Sequence, residues 1–243
     1  AAGIASGFIT AILQTKMGIN SLLAGIIVNT GLYSINIAVM SGSSILNMNK
    51  TDTVFIKMAA LLKGTPVARQ SKLFVAIIAV AAVAVILGLF LKTRLGLAIR
   101  ATGDNPDMVR SSSVNPAFTT IIGLCVANSF TALSGCLLAQ SQRSVNIDIG
   151  TGMVTIALAS LLIGGVFLGR KKMPLRIFGM VLGAFIFRLI YTIALRFDMP
   201  AFMLKFVSSV IVIAAIATPY FKKQLPLLKR RIQTRSGRRK ADA

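Results

Sequence analysis

The sequence has no His, no Trp and no Glu, and its six acidic residues are therefore all Asp. His and Glu are among the side chains that most often act as general acids and bases, and a serine nucleophile normally needs a base beside it. With two Cys and no His, the chain also lacks the ligand sets of zinc sites. These absences argue against hydrolytic and metal-dependent enzymes, and they predict a protein with no catalytic residues and no metal.

Charged side chains are scarce throughout the chain. They make up 14% of the 243 residues, against about 25% in ordinary soluble domains. The hydrophobic residues reach 55%, and the mean hydropathy is +0.79. A soluble core cannot bury that much apolar surface, whereas a bilayer can. The composition therefore predicts an integral membrane protein.

The net charge of +21 raises the alternative of a nucleic-acid partner. The basic residues, however, lie at the ends of the apolar runs and in the C-terminal tail, residues 221–243, and no soluble basic domain is visible. Anionic lipid headgroups explain a basic tail next to a membrane. We therefore expect membrane lipids as partners and no nucleic acid.

Seven apolar runs are candidates for membrane-spanning helices, which need about 20 apolar residues each. They cover residues 1–13, 21–40, 73–91, 118–139, 150–169, 177–195 and 202–220. The first run is short and the chain opens with Ala, so we expect it to begin inside a helix, with earlier spans missing. The predicted fold class is an N-terminally truncated, all-α, multi-span helical bundle, residues 1–220, followed by the tail.

The distribution of Lys and Arg predicts the orientation, because cytoplasmic segments are enriched in these residues. With the tail inside, the inner segments are those around Lys16, at 92–116, at 170–176 and at 221–243, and they hold 18 of the 27 basic residues. The outer segments, 41–72, 140–149 and 196–201, hold 7. We therefore place the C-terminus in the cytoplasm.

Several polar side chains interrupt the predicted spans. Asn29 and Asn36 are seven residues apart and share a helix face, and Asn128 and Ser129 lie in the fourth span. They either line a translocation path or hydrogen-bond between helices, and we favour the second for each. Arg188 lies in the sixth span, where contact of its charge with lipid would be costly. It either meets a substrate carboxylate or, as we favour, pairs with an Asp.

Glycine pairs four residues apart predict close helix contacts. They are Gly3/Gly7, Gly165/Gly169 and Gly179/Gly183.

The inner segment 92–116 carries readable helix signals. The third span is expected to continue as one helix through Leu97 and Ile99, until Gly103 offers a stop. Asn105 is a good N-cap, and Pro106 suits the first position of a helix over 106–112. Asp107 lies in the first turn, where the helix dipole favours an acid. This capped helix either receives a partner protein or serves as an ordinary connector, and local chemistry does not separate the two.

Three stretches of the sequence resemble a known family. The runs KMGINSLLAGIIVNTGLYSINIAVM at 16–40, LGLAIRATGDNP at 95–106 and GTGMVTIALASLLIGG at 150–165 are similar to permeases of the branched-chain amino acid and ribose ABC importer superfamily. The first run is similar to the subfamily that includes tryptophan- and tyrosine-type permeases. The resemblance extends from Gly7 to about Ala214.

The resemblance implies a type II importer fold, in which two permease copies form the translocation path. A separate ATPase binds inside, an extracellular or periplasmic solute-binding protein binds outside, and ATP is used by the ATPase, so this chain needs no cofactor. The chain has no G-x-x-x-x-G-K-[ST] phosphate loop, in agreement. In the family, the segment matching 96–110 leads into the helix that couples to the ATPase. The residues here are Gly96, Arg100, Ala101, Gly103, Asn105, Pro106, Asp107 and Arg110.

We therefore expect the permease of an ATP-driven importer for a small solute such as an amino acid, in a prokaryotic plasma membrane. The alternative is a secondary, ion-coupled transporter. Such carriers often use intramembrane acids as ion relays, and no predicted span has an Asp in its interior. An intramembrane enzyme is a third class, and it lacks the side chains it would need.

Overall fold

The computed structural model describes residues 1–48, 52–61, 70–150, 153–168 and 173–196, together with residues 206, 209–211, 213 and 217. Four helices in these ranges are long and apolar enough to cross a membrane: Ser21–Val39, Lys72–Phe90, Pro116–Gln142 and Met173–Ala194. Two shorter apolar helices, Ala2–Thr15 and Ile156–Gly165, accompany them. The all-α membrane class predicted from composition is confirmed.

The helices and strands follow one another in a simple order. They are α1 Ala2–Thr15, α2 Ser21–Val39, β1 Ile45–Asn47, α3 Val54–Leu61, α4 Ser71–Phe90, α5 Arg94–Asp104, α6 Pro106–Ser111, α7 Pro116–Gln142, β2 Ser144–Asn146, a 3-10 turn Ile147–Gly150, α8 Met153–Leu168 and α9 Met173–Arg196. The chain divides into two units, residues 1–148 and 149–243.

In the first unit, α7 is the central helix, and α1 packs along it. Gly3 of α1 faces the backbone of Asn128, and a Cβ at Gly3 would lie 2.5 Å from that carbonyl oxygen. Gly7 faces the carbonyl of Leu124, at 2.6 Å by the same measure. Because a later residue of α1 meets an earlier residue of α7, the two helices run antiparallel. The predicted close contact at Gly3 and Gly7 is confirmed.

The outer surface of this unit is apolar. Leu22 on α2 is 70% exposed, and Leu89 on α4 is 61% exposed. Soluble proteins rarely expose contiguous apolar surface of this kind. A bilayer accommodates such helix faces, since their backbone groups are already paired within each helix.

A short antiparallel pair of strands joins two distant parts of the first unit. Ile45 pairs with Asn146, Leu46 with Val145, and Asn47 with Ser144. Both segments were predicted to lie on the outer side of the membrane, and their pairing places them at the same end of α7. At about 1.5 Å per residue, the 27 residues of α7 separate this end from Pro116 by about 40 Å.

In the second unit, α8 and α9 pack closely through small residues. A Cβ at Gly164 would collide with the carbonyl of Gly179, and one at Gly183 would collide with the carbonyl of Ser160. Phe187 of α9 is fully buried and stacks on Tyr191 with ring centroids 6.4 Å apart. The predicted contact at Gly179 and Gly183 is confirmed.

The glycine that meets them is Gly164, whereas Gly165 faces open space. Gly169 lies outside the described residues. The prediction that Gly165 makes a close helix contact is therefore wrong within this unit.

Helices occupy six of the seven predicted spans, and most of the seventh, 202–220, lies outside the described residues, as does the tail.

The predicted end of the third helix is wrong. The third span does not continue through Leu97 and Ile99 as one helix, because α4 ends at Phe90 and a new helix, α5, begins at Arg94. The Thr93 side chain causes this break: it donates to the Phe90 carbonyl at 2.6 Å and accepts from the Gly96 amide at 3.2 Å, which caps α5.

Candidate coupling site

The segment between α4 and α7 consists of two short helices, α5 and α6, which we call the inner hairpin (residues 94–111). Gly96 lies in its first turn, so close to the end of α4 that a Cβ there would collide with the backbone of Phe90 and Leu91. Only a glycine permits this approach. The hairpin therefore begins with a tight turn against the end of α4.

Asn105 separates the two helices of the hairpin. Its backbone is extended, with φ −157° and ψ 103°, and its side-chain oxygen accepts from the amides of Asp107 at 3.0 Å and Met108 at 3.2 Å. Pro106 follows in the first turn of α6, and Asp107 lies beside it. The predicted N-cap is confirmed, while Gly103 is not the stop, because α5 continues to Asp104 and ends at Asn105.

The other end of α6 is closed equally firmly. The Val114 amide donates to the Val109 carbonyl at 3.2 Å, and the Ser113 amide donates to the Arg110 carbonyl at 3.1 Å. This pair of bonds is a Schellman motif. Ser113 adopts the left-handed conformation that the motif requires, with φ 61°. The helix ends at Ser111, one residue before the predicted end, and both of its termini have their backbone groups satisfied.

The hairpin presents a polar, exposed tip. Residues 103–108 are exposed without interruption, and Arg110 is exposed as well. Val109 is the exception, since it is 4% exposed and turns inward. The acids Asp104 and Asp107 and the base Arg110 thus lie on an accessible surface, with one apolar side chain fixing α6 to the body of the unit.

Side chains anchor α5 to the first turns of α7. The hydroxyls of Thr102 and Thr119 lie 2.7 Å apart, and Thr119 is 1% exposed. One turn further along α7, the side chain of Ile99 lies over Gly123, 3.3 Å from where a Cβ would be. Asn115 caps α7 by accepting from the Ala117 amide at 2.9 Å. The hairpin therefore rests on the same end of α7 from which the chain enters the membrane.

All eight residues that the family resemblance assigned to the coupling segment lie in this hairpin. The candidate path residues lie on α2, α7 and α9. Asn29 and Asn36 are exposed on α2, and Arg188 is exposed on α9.

Asn128 and Ser129 are half-buried on α7 and bond to their own helix: Asn128 donates to the Leu124 carbonyl at 3.1 Å, and Ser129 donates to the Val126 carbonyl at 2.7 Å. The interhelical hydrogen bonds that we favoured for Asn29, Asn36, Asn128 and Ser129 are not present within the described ranges. Their role in a path stays a prediction.

Sequence reasoning missed four residues of this site: Thr93, Thr102, Ser113 and Thr119. Thr93 offered a signal, since a Thr directly before an amphipathic run is a common N-cap. Thr102 and Thr119 offered none, because they are 17 residues apart on different helices and only the packing brings them together.

Long apolar helices, packed through glycines and joined by a capped polar hairpin, define the class as a multi-pass membrane protein. The sequence matches the family described as "Branched-chain amino acid transport system / permease component" over residues 1–216. The chain belongs to this family, and the resemblance to ABC importer permeases is confirmed.

Among its relatives, the chain is 31% identical to the tyrosine transport system permease protein of Clostridioides difficile over 216 residues, covering 89% of this chain and 69% of that protein. It is 30% identical to an uncharacterized protein of Rickettsia prowazekii, covering 67% of this chain and 55% of that protein. It is 25% identical to the autoinducer 2 import system permease protein LsrC of Yersinia pestis, covering 88% and 58%. No solved structure matches significantly.

Proposed function

We propose that this chain is the membrane-spanning permease subunit of an ATP-driven importer, and that its inner hairpin is the contact surface for a separate ATPase. The observation that carries the proposal is α6 itself: an exposed short helix, capped at both ends, with Val109 buried. The neighbouring α5 is anchored to α7 through Thr102 and Thr119. Caps are found on ordinary helices as well, so the proposal rests on the combination of an exposed polar tip with a side-chain anchor to α7. A surface that receives force from a partner needs both, because a loose loop would absorb the movement.

The partners follow from this role. The chain has no phosphate loop of its own, so ATP is bound and hydrolysed by the separate subunit. A second permease copy completes the path in a type II importer arrangement. The far end of α7, with the β1–β2 pair, faces a solute-binding protein outside the cell. The protein resides in the prokaryotic plasma membrane with its C-terminus in the cytoplasm.

The solute is a small molecule, and an amino acid is the first class to test. Relatives of this chain include a tyrosine transport system permease protein and an autoinducer 2 import system permease protein. Arg188 supports a carboxylate-bearing solute, because an exposed guanidinium on a membrane helix requires water or an anion. The binding protein selects the solute, so tyrosine is a starting point.

The test is reconstitution. The permease is purified with an ATPase and a solute-binding protein encoded beside it, placed in proteoliposomes, and assayed for ATP-dependent uptake of labelled tyrosine and other amino acids. We expect stable association with the ATPase and hydrolysis that the loaded binding protein stimulates. Uptake driven by an ion gradient without ATP would overturn the proposal in favour of a secondary transporter.

A further inference from the structure

The inner hairpin lies between α4 and α7, and the two connections differ in kind. At the end of α4 the backbone hydrogen bonds change from four-residue to three-residue spacing, and then the helix ends. The Lys92 amide donates to the Leu89 carbonyl, and the Thr93 amide donates to the Phe90 carbonyl. The residues that follow start a separate helix. A break of this kind between two helices is a place where the angle between them can change. The residue of α5 that lies against Phe90 and Leu91 is Gly96, which has no side chain that such a change would have to displace.

Toward α7, the contacts run along the length of α5. Ile99 and Thr102 lie one turn apart on α5 and meet Gly123 and Thr119 of α7. Inside a membrane protein, an interhelical hydrogen bond adds to packing between small residues. These two contacts fix both the position and the rotation of α5 on α7.

The threonine pair (Thr102 and Thr119) is specific in its hydrogen bonding. The Thr102 hydroxyl also lies 2.8 Å from the Ala98 carbonyl, and the Thr119 hydroxyl lies 2.9 Å from the Pro116 carbonyl. Two hydroxyls hold two protons, so one donates across the helix pair while the other donates to a carbonyl of its own helix. Because Thr119 is buried, no water replaces the bond if one hydroxyl is removed.

Further along its length, α7 also packs against α1. The backbones of Gly3 and Gly7 lie directly on α7 at Asn128 and Leu124, and Ala11 is fully buried in the first unit. Close-packed interfaces have low compressibility and transmit strain. By contrast, α4 is mostly exposed: among its described side chains, Val75 is the one hydrophobic side chain that is buried.

We propose that movement of the inner hairpin enters the membrane through α7 and α1, which move with it as one body, while the angle to α4 changes at residues 91–93. A continuous third helix cannot be the route, because α4 ends at Phe90 and α5 begins at Arg94. Thr102 and Thr119 are positioning residues in this scheme. The inference rests on the proposed function, because the driving movement comes from the ATPase.

The direct test measures distances in the complete complex. Spin labels are placed in pairs in a Cys125→Ala, Cys136→Ala background: Arg110→Cys on α6 with Leu133→Cys on α7, with Ile4→Cys on α1, and with Ile77→Cys on α4. All four positions are exposed. Distances are compared in nanodiscs containing the ATPase, without nucleotide and with trapped ATP.

We expect the distances from α6 to α7 and to α1 to stay constant and the distance from α6 to α4 to change with ATP. A change between α6 and α7, or no change in any pair, overturns the inference. Failure of the wild-type permease to bind the ATPase is a separate result, and it would overturn the proposed function instead.

A second test uses the hydroxyls. Thr119→Val keeps the shape and removes the bond, and Thr119→Ser keeps the bond as the matched control. We expect Thr119→Val to retain ATPase binding but to raise the ATP hydrolysed per solute transported about fivefold, the factor that corresponds to one lost hydrogen bond. The Ser variant should restore the wild-type ratio. An unchanged ratio in Thr119→Val, or the same rise in both variants, would show that the pair has no such role.

Discussion

The backbone amide of Val54 donates to the side-chain oxygen of Gln140 at 3.1 Å, across 86 residues of sequence. With the β1–β2 pairing, this bond holds the start of α3 at the last turns of α7. The inner hairpin rests on the first turns of the same helix, at Thr119. The two polar regions of the first unit therefore lie at opposite ends of a helix that is long enough to cross a membrane.

The first prediction is that these two ends are accessible from opposite sides of the cell membrane. Single cysteines at Ser43 and Asp148, both exposed at the strand end, should react with a membrane-impermeant maleimide in intact cells. Cysteines at Asp104 and Arg110 should react only after permeabilisation. The Cys125→Ala, Cys136→Ala chain serves as the unlabelled control. Labelling of all four positions from outside, or the reverse pattern, would contradict the orientation.

The second prediction concerns the contact between α1 and α7. Gly7→Ala should lower stability by about 1–3 kcal/mol, because the added methyl overlaps the Leu124 carbonyl. Gly25→Ala on α2 is the matched control: nothing lies within 4 Å of its Cβ position, and Ala favours a helix by about 1 kcal/mol over Gly. Thermal unfolding in detergent should show a lower midpoint for the first variant only. Equal midpoints would mean that the two helices do not pack as described.

The third prediction applies the same comparison to the second unit. Gly183→Ala should destabilise the packing of α8 on α9, since its Cβ would collide with the Ser160 carbonyl, while Gly165→Ala should not, since its Cβ position is open. Proteolysis of the purified protein, followed at increasing temperature, measures both. If Gly165→Ala proved the more damaging change, a second copy of the chain or another partner would have to occupy that open side.

The fourth prediction concerns the start of α6. Asn105→Ala removes the acceptor for the Asp107 and Met108 amides and should weaken the cap by about 1 kcal/mol. Asn105→Ser, which retains a good cap, is the control. Hydrogen exchange of the α6 amides should rise in the Ala variant and stay near wild type in the Ser variant. Equal exchange in the two would mean that the cap does not hold this helix.

Local chemistry predicted the parts of the site that depend on neighbours in the sequence. Asn105 followed by Pro106 starts a helix, because a side-chain acceptor and a fixed φ act within one turn. The membrane class could also be predicted, because composition is summed over the whole chain and does not depend on tertiary packing.

The wrong or missing predictions concern positions where two helix signals compete, or contacts between residues that are far apart in the sequence. Gly103 was read as a stop, but a glycine ends a helix only when the chain turns there, and Asn105 supplies the turn two residues later. The break before α5 arises because the Thr93 hydroxyl competes with the helix for the Phe90 carbonyl. The strand pairing of Ile45 with Asn146 and the threonine pair are tertiary contacts, which no local pattern reveals.

The measurement that tests the account most directly is the effect of Val109→Pro on ATPase association and transport. Val109 lies inside α6, and its amide donates to the Asn105 carbonyl at 3.4 Å. Proline has no amide hydrogen, so it cannot form this bond. A proline there should break the helix at a cost of about 3 kcal/mol or more. The change lies outside the long apolar helices, so the protein should still insert.

We predict normal expression of Val109→Pro in the membrane, loss of co-purification with the ATPase, and loss of ATP-driven uptake. Asn105→Ser, measured alongside, should keep all three at wild-type levels. If the Val109→Pro permease still binds its ATPase and transports at the wild-type rate, the inner hairpin is not the coupling site.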